Sequence, residues 1–322
     1  MSLKYLLLLM ALPCAAAISA QPIRGCTDRA ANNYNPAATI NDGSCTYDPA
    51  SINPSLRFNQ QAGLEENSGM IYWNGHLWQH NDGGAPPVIF ATDTATGRIL
   101  RRVTLTGALN TDWEDMAQDD RHIFIGDFGN NDNGARKDLR IYRIAKSDLS
   151  STEGDISVTP ELISFRYQDQ PDSLMPMAGN KTDFDCEAMI VHEDKLYLFT
   201  KQWSSKQTSL YTLPKSPGNH TAMKLATYDV KGLVTGADIF PSTGTIILTG
   251  YTQTLQRFMF LLYDFKANAF FEGNKRKVML KGIAQTESVA FFSRHLAFIG
   301  SEKAAIFPQR LESIDLSALL EK

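Results

Sequence analysis

Five stretches of this chain carry a hydrophobic anchor with a second hydrophobic residue seven positions later, and that recurrence restricts the available folds more than any other feature. They are Glu66-Asn67-Ser68-Gly69-Met70 leading to Leu77, and Asp112-Trp113-Glu114-Asp115-Met116 leading to Ile123. Next come Asp185-Cys186-Glu187-Ala188-Met189 leading to Leu196, Thr235-Gly236-Ala237-Asp238-Ile239 leading to Ile246, and Gln285-Thr286-Glu287-Ser288-Val289 leading to Leu296. The anchors at 70, 116, 189, 239 and 289 are separated by 46, 73, 50 and 50 residues. A period near 50 with one insertion is a propeller-blade period.

Each unit reads as short strands rich in β-branched and aromatic residues, bounded by Gly, Asn, Asp or Pro. The innermost strands fall at 69–73, 115–118, 186–191, 237–240 and 288–292. The fifth unit lacks one strand, which Leu56-Arg57-Phe58 can supply from the N-terminal side, closing the ring and removing an exposed edge. The expected fold is therefore all-β, a propeller of five blades, with a sixth possible inside the insertion at 147–181.

Composition narrows the function classes. The 322 residues carry a formal net charge of −4, without the basic excess that nucleic-acid binding requires. With 43% hydrophobic and 10% aromatic residues, the chain is not a disordered one. Residues 1–20 read as a secretory signal: Lys4, an apolar run from Tyr5 to Leu12, and a small-residue exit at Ala15-Ala16-Ala17-Ile18-Ser19-Ala20. The run is too short to span a bilayer, and Leu12-Pro13-Cys14 is a poor lipobox. The expected location is secreted, periplasmic or cell-surface, with no membrane span and a monomeric chain. In an oxidising compartment Cys26 and Cys45 should pair, leaving Cys186, between Asp185 and Glu187, as a packed thiol. The domain reading is a signal at 1–20, a disulfide-closed module at 21–50 and a propeller at 51–322.

The module, Gly25-Cys26-Thr27-Asp28 through Asp42-Gly43-Ser44-Cys45-Thr46-Tyr47, is too short and polar to form a core without a staple. Asp28, Asn33, Asn35, Asn41 and Asp42 are hard oxygen donors of the kind calcium prefers. The stretch resembles the GCTD…DGSC repeat of secreted proteins, itself similar to thrombospondin type 3 units. That resemblance implies a calcium-binding spacer; turn-forming Asn and Asp without an ion are the alternative.

In a propeller, equivalent positions at the start of the inner strands ring the axis. Two before each anchor lie Ser68, Glu114, Glu187, Ala237 and Glu287; four before lie Glu66, Asp112, Asp185, Thr235 and Gln285. Facing carboxylates repel unless a cation neutralises them, and oxygen donors without a His/Cys set favour Ca2+ or Mg2+ over zinc. The candidate ligands are Glu66, Asp112, Glu114, Asp185, Glu187 and Glu287, with Asp127 in a rim loop and Asp28 and Asp42 in the module. The alternative is a tier that caps backbone amides and binds water. His80 adjoins a carboxylate loop, but no G-x-S-x-G, H-E-x-x-H or Walker motif is present.

At Ser68-Gly69-Met70, Asp112-Trp113-Glu114-Asp115-Met116-Ala117, Gly126-Asp127-Phe128-Gly129-Asn130 and Glu187-Ala188-Met189 the chain resembles the secreted SdiA-regulated and phytase-like (esterase-like) propellers. Ala237 departs from their repeated Glu. The resemblance implies an exported calcium-binding propeller that serves as a ligand-binding or surface-interaction module for an extracellular or periplasmic ligand. The alternative is a metal-dependent hydrolase, phytase-, esterase- or lactonase-like, with Arg136, Lys137 and Lys201 as candidate phosphate-binding cations.

Overall fold

Hairpins start where the sequence permits a tight reversal. Asn74-Gly75, between Trp73 and His76, takes φ of 50° and 81°, the positive pair that a primed turn needs to match strand twist. The structure, a computed structural model, describes residues 21–150, 154–171, 176, 178–303 and 308–320. The proposed signal at 1–20 lies outside the described residues.

Five blades surround one axis. Blade 1 runs outward as Asn67–Trp73, His76–Asn81, Val88–Asp93 and Ile99–Leu105. Blade 2 is Trp113–Gln118, His122–Asp127, Leu139–Ala145 and Glu161–Tyr167. Blade 3 is Asp185–His192, Lys195–Lys201, Thr208–Pro214 and Gly218–Tyr228. Blade 4 is Leu233–Phe240, Thr245–Tyr251, Gln256–Tyr263 and Asn274–Ile283. Blade 5 is Thr286–Ser293, Leu296–Ser301 and Arg310–Asp315, completed by Ser55–Asn59. The closing strand pairs Leu311 with Phe58 and Glu312 with Leu56. Each inner strand touches the next, and that of blade 5 touches that of blade 1, so the ring is complete.

Among its described residues the insertion forms no sixth blade. Its Ile156–Val158 adds a parallel strand to the outside of blade 1, and Glu161–Tyr167 is the outer strand of blade 2. That outer strand also pairs parallel with the outer strand of blade 3, which joins the two blades into one sheet. The long second spacing thus covers edges rather than adding a repeat.

The hydrophobic anchors have a common task. Met70 packs with Ala290, Phe298 and Leu311 of blade 5, and Met116 with Ile71 and Ile89 of blade 1. Met189 packs with Phe124 and Ile141 of blade 2, Ile239 with Tyr197 and Phe199 of blade 3, and Val289 with Ile247 and Met259 of blade 4. Every anchor therefore seals its own blade against the preceding one. Burial of such a side chain stabilises by roughly 1.5–3 kcal/mol, which explains why the position stays apolar through all five repeats. Cys186 is fully buried in the interface between blades 2 and 3, and burial pushes its thiol far above the usual range. It is a packing group.

Cys26 and Cys45 are bonded. The module they close is docked on blade 4, not extended as a spacer. The Asp28 carboxylate is buried and accepts the hydroxyls of Tyr47 (2.7 Å) and Tyr263 (2.6 Å) and the amide of Ala30 (2.8 Å). Asn41 donates to Asp264 and Asn274 of blade 4. Ala50–Ile52 then adds a strand beside Asn274–Ile283. No helix among the described residues is long and apolar enough to cross a membrane.

Candidate metal centre

Asp112-Trp113-Glu114 and Asp185-Cys186-Glu187 occupy the same positions of successive repeats, at the mouth where the inner strands begin. The middle residue of each turns into a blade interface: Trp113 and Cys186 are fully buried there. Alternation along a strand turns the flanking carboxylates the other way, toward the axis.

A bulge sharpens this aim. In blades 1, 2, 3 and 5 the ladder between the first two strands skips a residue near the start of the inner strand: Ser68, Glu114, Glu187 and Glu287 respectively. A bulged residue is free of its ladder partner and re-aims its side chain. Blade 4 differs: the skipped residue is Thr235, and Ala237 pairs regularly with Leu248. The missing Glu in that blade coincides with a shifted bulge, and with Ser68 in blade 1 the tier carries carboxylates in blades 2, 3 and 5.

Among the described residues, two groups of carboxylates have ligand atoms all within 4.8 Å of one another: Asp82, Asp112 and Glu114, and Glu114, Asp185 and Glu187. Glu114 belongs to both. Burial, then repulsion from Asp82 and Asp185, raises Asp112 to about 7. Burial, then Asp82 and Glu187, holds Glu114 well above the ordinary carboxylate range. Glu114 is 3% exposed, and its Oε1 is buried without a hydrogen-bond partner. Its Oε2 lies 3.4 Å from the Ser68 hydroxyl. Gly129 lies directly beneath: a Cβ there would stand 2.1 Å from Glu114 Oε1 and 2.4 Å from Asp112 Oδ2. Only glycine leaves both carboxylates where they are.

The two acids that belong only to the second group are already paired. Both oxygens of Glu187 accept from Lys201 Nζ, at 2.6 and 2.5 Å. Asp185 accepts from the Asn130 amide and from Trp203 Nε1, each at 2.7 Å. Burial opposes the charge on Lys201, but Glu187 and Glu287 outweigh it and hold the ammonium well above the usual lysine range. Its Nζ also lies 4.8 Å from the Trp203 ring centre and 5.3 Å from that of Tyr251.

The other expected ligands separate from these groups. Glu287 is buried near Lys201, and burial raises it to about 8 against the lysine's pull. Glu66 stands at the mouth, its amide bonded to Asn81. Asp127 is bound by Arg136 at 2.6 Å and accepts the Asp112 amide at 3.0 Å, so it holds the backbone under the site. Asp28 docks the module, and Asp42 accepts the Ser44 amide in an exposed turn. Arg136 and Lys201, expected as phosphate-binding cations, are engaged by Asp127 and Glu187.

The sequence places Asp82 and Glu302 in polar rim loops after second strands without marking either as a ligand. Both follow second strands in loops that read as turns, although Asp82 falls at the repeat position of Lys201, five residues beyond Leu77 as Lys201 is beyond Leu196. Burial, then Asp82, raises Glu302 to about 7, and Gln285 donates to it. Amide capping also occurs, at Asp185 within the expected tiers and also one position after the Glu tier. Asp115 accepts the amides of Met116, Met189 and Ala237, and Asp238 those of Ile239 and Phe291. These acids stitch neighbouring inner strands across the axis. Beyond them, at the opposite mouth, a cavity of about 490 Å³ is lined by Tyr72, Phe240, Phe291 and Phe292. Its lysines are spoken for: Lys146 donates to Gln118 and Asp119, and Lys215 to Asp119.

No family model matches the chain, and no curated protein does. Solved structures similar to it include the PQQ-bound aldose sugar dehydrogenase of Streptomyces coelicolor. That likeness has 11% identity over 83% of this chain and 99% of the other, with a TM-score of 0.47. Hydrazine synthase of Kuenenia stuttgartiensis is 9% identical over 80% of this chain and 65% of its own, with a TM-score of 0.40. YCF48 bound to a D1 peptide is 10% identical over 79% and 67%, with a TM-score of 0.35. None of these likenesses bears on the chemistry of the carboxylate mouth.

Proposed function

We propose that this chain is an exported propeller whose acidic mouth binds a calcium ion through Asp82, Asp112 and Glu114, as part of a ligand-binding or surface-interaction module. One observation carries the reading: Glu114 is buried with one oxygen free of any hydrogen bond, and its carboxylate belongs to a group with Asp82 and Asp112 whose ligand atoms lie within 4.8 Å of one another. An unpaired buried carboxylate is costly, and a divalent cation relieves the cost for all three acids together. Three oxygen donors without His or Cys suit calcium or magnesium, and an ion here keeps open positions for ligand or water. The Cys26–Cys45 bond supports an oxidising compartment. The motif resemblance to SdiA-regulated and phytase-like propellers points the same way. The binding reading is preferred to a hydrolase because two of the three cations that would hold phosphate, Arg136 and Lys201, are paired internally.

Thermal melting checks this. Calcium at about a hundredfold excess over its Kd should raise the Tm of the native protein by roughly 5 °C. Glu114→Gln, which keeps the shape and removes the charge, should abolish most of that rise. Equal calcium responses in the two proteins would contradict the assignment.

A further inference from the structure

We propose that Lys201 is a tethered cation filling the second of two repeated ion positions, so that the propeller takes one divalent ion where its repeat provides for two. The inference rests on the reading of Asp82, Asp112 and Glu114 as an ion site.

The two positions are built alike. Each has an Asp-x-Glu from the start of an inner strand, with the Glu at a bulge. They share Glu114, and in each the three ligand atoms lie within 4.8 Å. They differ in what completes them. In the first, Asp82 adds a carboxylate and one Glu114 oxygen lacks a partner. In the second, the Lys201 ammonium takes both oxygens of Glu187. Asp82 and Lys201 stand at the same repeat position, five residues past Leu77 and Leu196, Asp82 directly after the second strand of blade 1 and Lys201 as the last residue of that of blade 3. One repeat position thus supplies a ligand in blade 1 and a cation in blade 3.

Charge fits this division of labour. Asp82, Asp112, Glu114, Asp185 and Glu187 converge on one mouth, where Lys201 is the cation bonded to a member of either group among the described residues. The lysine is enclosed as a bound ion would be: its side chain is 5% exposed, with the faces of Trp203 and Tyr251 beside Nζ. A flexible surface lysine would gain little from its pairing, whereas a buried one answers a charge that must otherwise be met by another cation. Removing the ammonium while keeping the stem leaves Glu114, Asp185 and Glu187 with no counter-charge and with oxygen donors at ion-binding separation.

The test is calcium stoichiometry, by calorimetry and by metal analysis after gel filtration, for the native protein, Lys201→Met and Lys201→Arg. Native protein and Lys201→Arg should bind one ion, and Lys201→Met two, a doubling that a merely structural lysine would not produce. If Lys201→Met melts without cooperativity in chelator, calcium should restore its transition. Lys201→Met binding one ion, or remaining unfolded in calcium, overturns the proposal. Failure of the underlying site looks different: the native protein would bind no calcium at all.

Discussion

A chain begun at Gln60 is expected to lose its cooperative unfolding transition. That deletion removes Ser55–Asn59, the strand paired with Arg310–Asp315, and exposes the ladder at Leu311 and Glu312. It also removes Ala50–Ile52 from the edge of blade 4 and the module docked beside it. Phe58 leaves the cluster of Met70, Leu77 and Phe298, which joins blade 5 to blade 1. A propeller gains its stability by closing on itself, and an open ring leaves two unpaired edges able to aggregate. The loss should be comparable to the whole stability of an ordinary domain, about 5–15 kcal/mol. Urea unfolding followed by circular dichroism reads it directly. A sigmoidal transition with an unchanged midpoint would show that closure contributes little.

Arg257→Met should be the most damaging single substitution in the same region, at about 3–5 kcal/mol. Arg257 is 1% exposed and reaches from blade 4 to Glu312 of blade 5, while its other guanidinium nitrogen donates to the Lys281 carbonyl. Methionine fills most of the space but leaves Glu312, 6% exposed, with the more exposed Arg310 at 3.3 Å as its remaining ion-pair partner among the described residues. A stranded buried carboxylate explains the size of the effect. Adding Glu312→Leu to Arg257→Met should recover a large part of it, because both charges are then gone. No recovery in the double variant would place the cost in packing instead.

Much of this architecture is legible in the residues because it rests on apolar periodicity. The five anchors recur since each seals a blade interface, and the closing strand at 56–58 could be placed because one repeat was a strand short. The insertion was ambiguous for a physical reason: a strand that caps a neighbouring edge has the same local composition as one in a new blade. The site was visible only as two carboxylate tiers. Strict alternation places Glu114 and Asp115 on opposite faces, whereas the bulge at Glu114 lets both reach the axis, one toward Asp82 and one onto the Met189 amide. A bulge is a property of pairing between strands and leaves no mark on one strand's sequence. Asp82 was hidden for a related reason, since Asn81-Asp82-Gly83 has turn chemistry whether or not its carboxylate turns inward. Lys201 is legible as a charge but not as a counter-ion, because its partner Glu187 is set by the hairpin register.

The module's Asn and Asp content suggests ion binding; in the structure Asn41 and Asp42 also form turns, and Asn41 and Asp28 also contact blade 4.

The central claim is that the acidic mouth holds a divalent cation on Asp82, Asp112 and Glu114. Calcium titration by calorimetry, on protein stripped with chelator, tests it most directly against the double variant Asp112→Asn with Glu114→Gln. The native protein should show saturable binding of one calcium ion, and the double variant should show none while keeping its fold by circular dichroism. No saturable heat in the native protein, or equal binding in both, would contradict it.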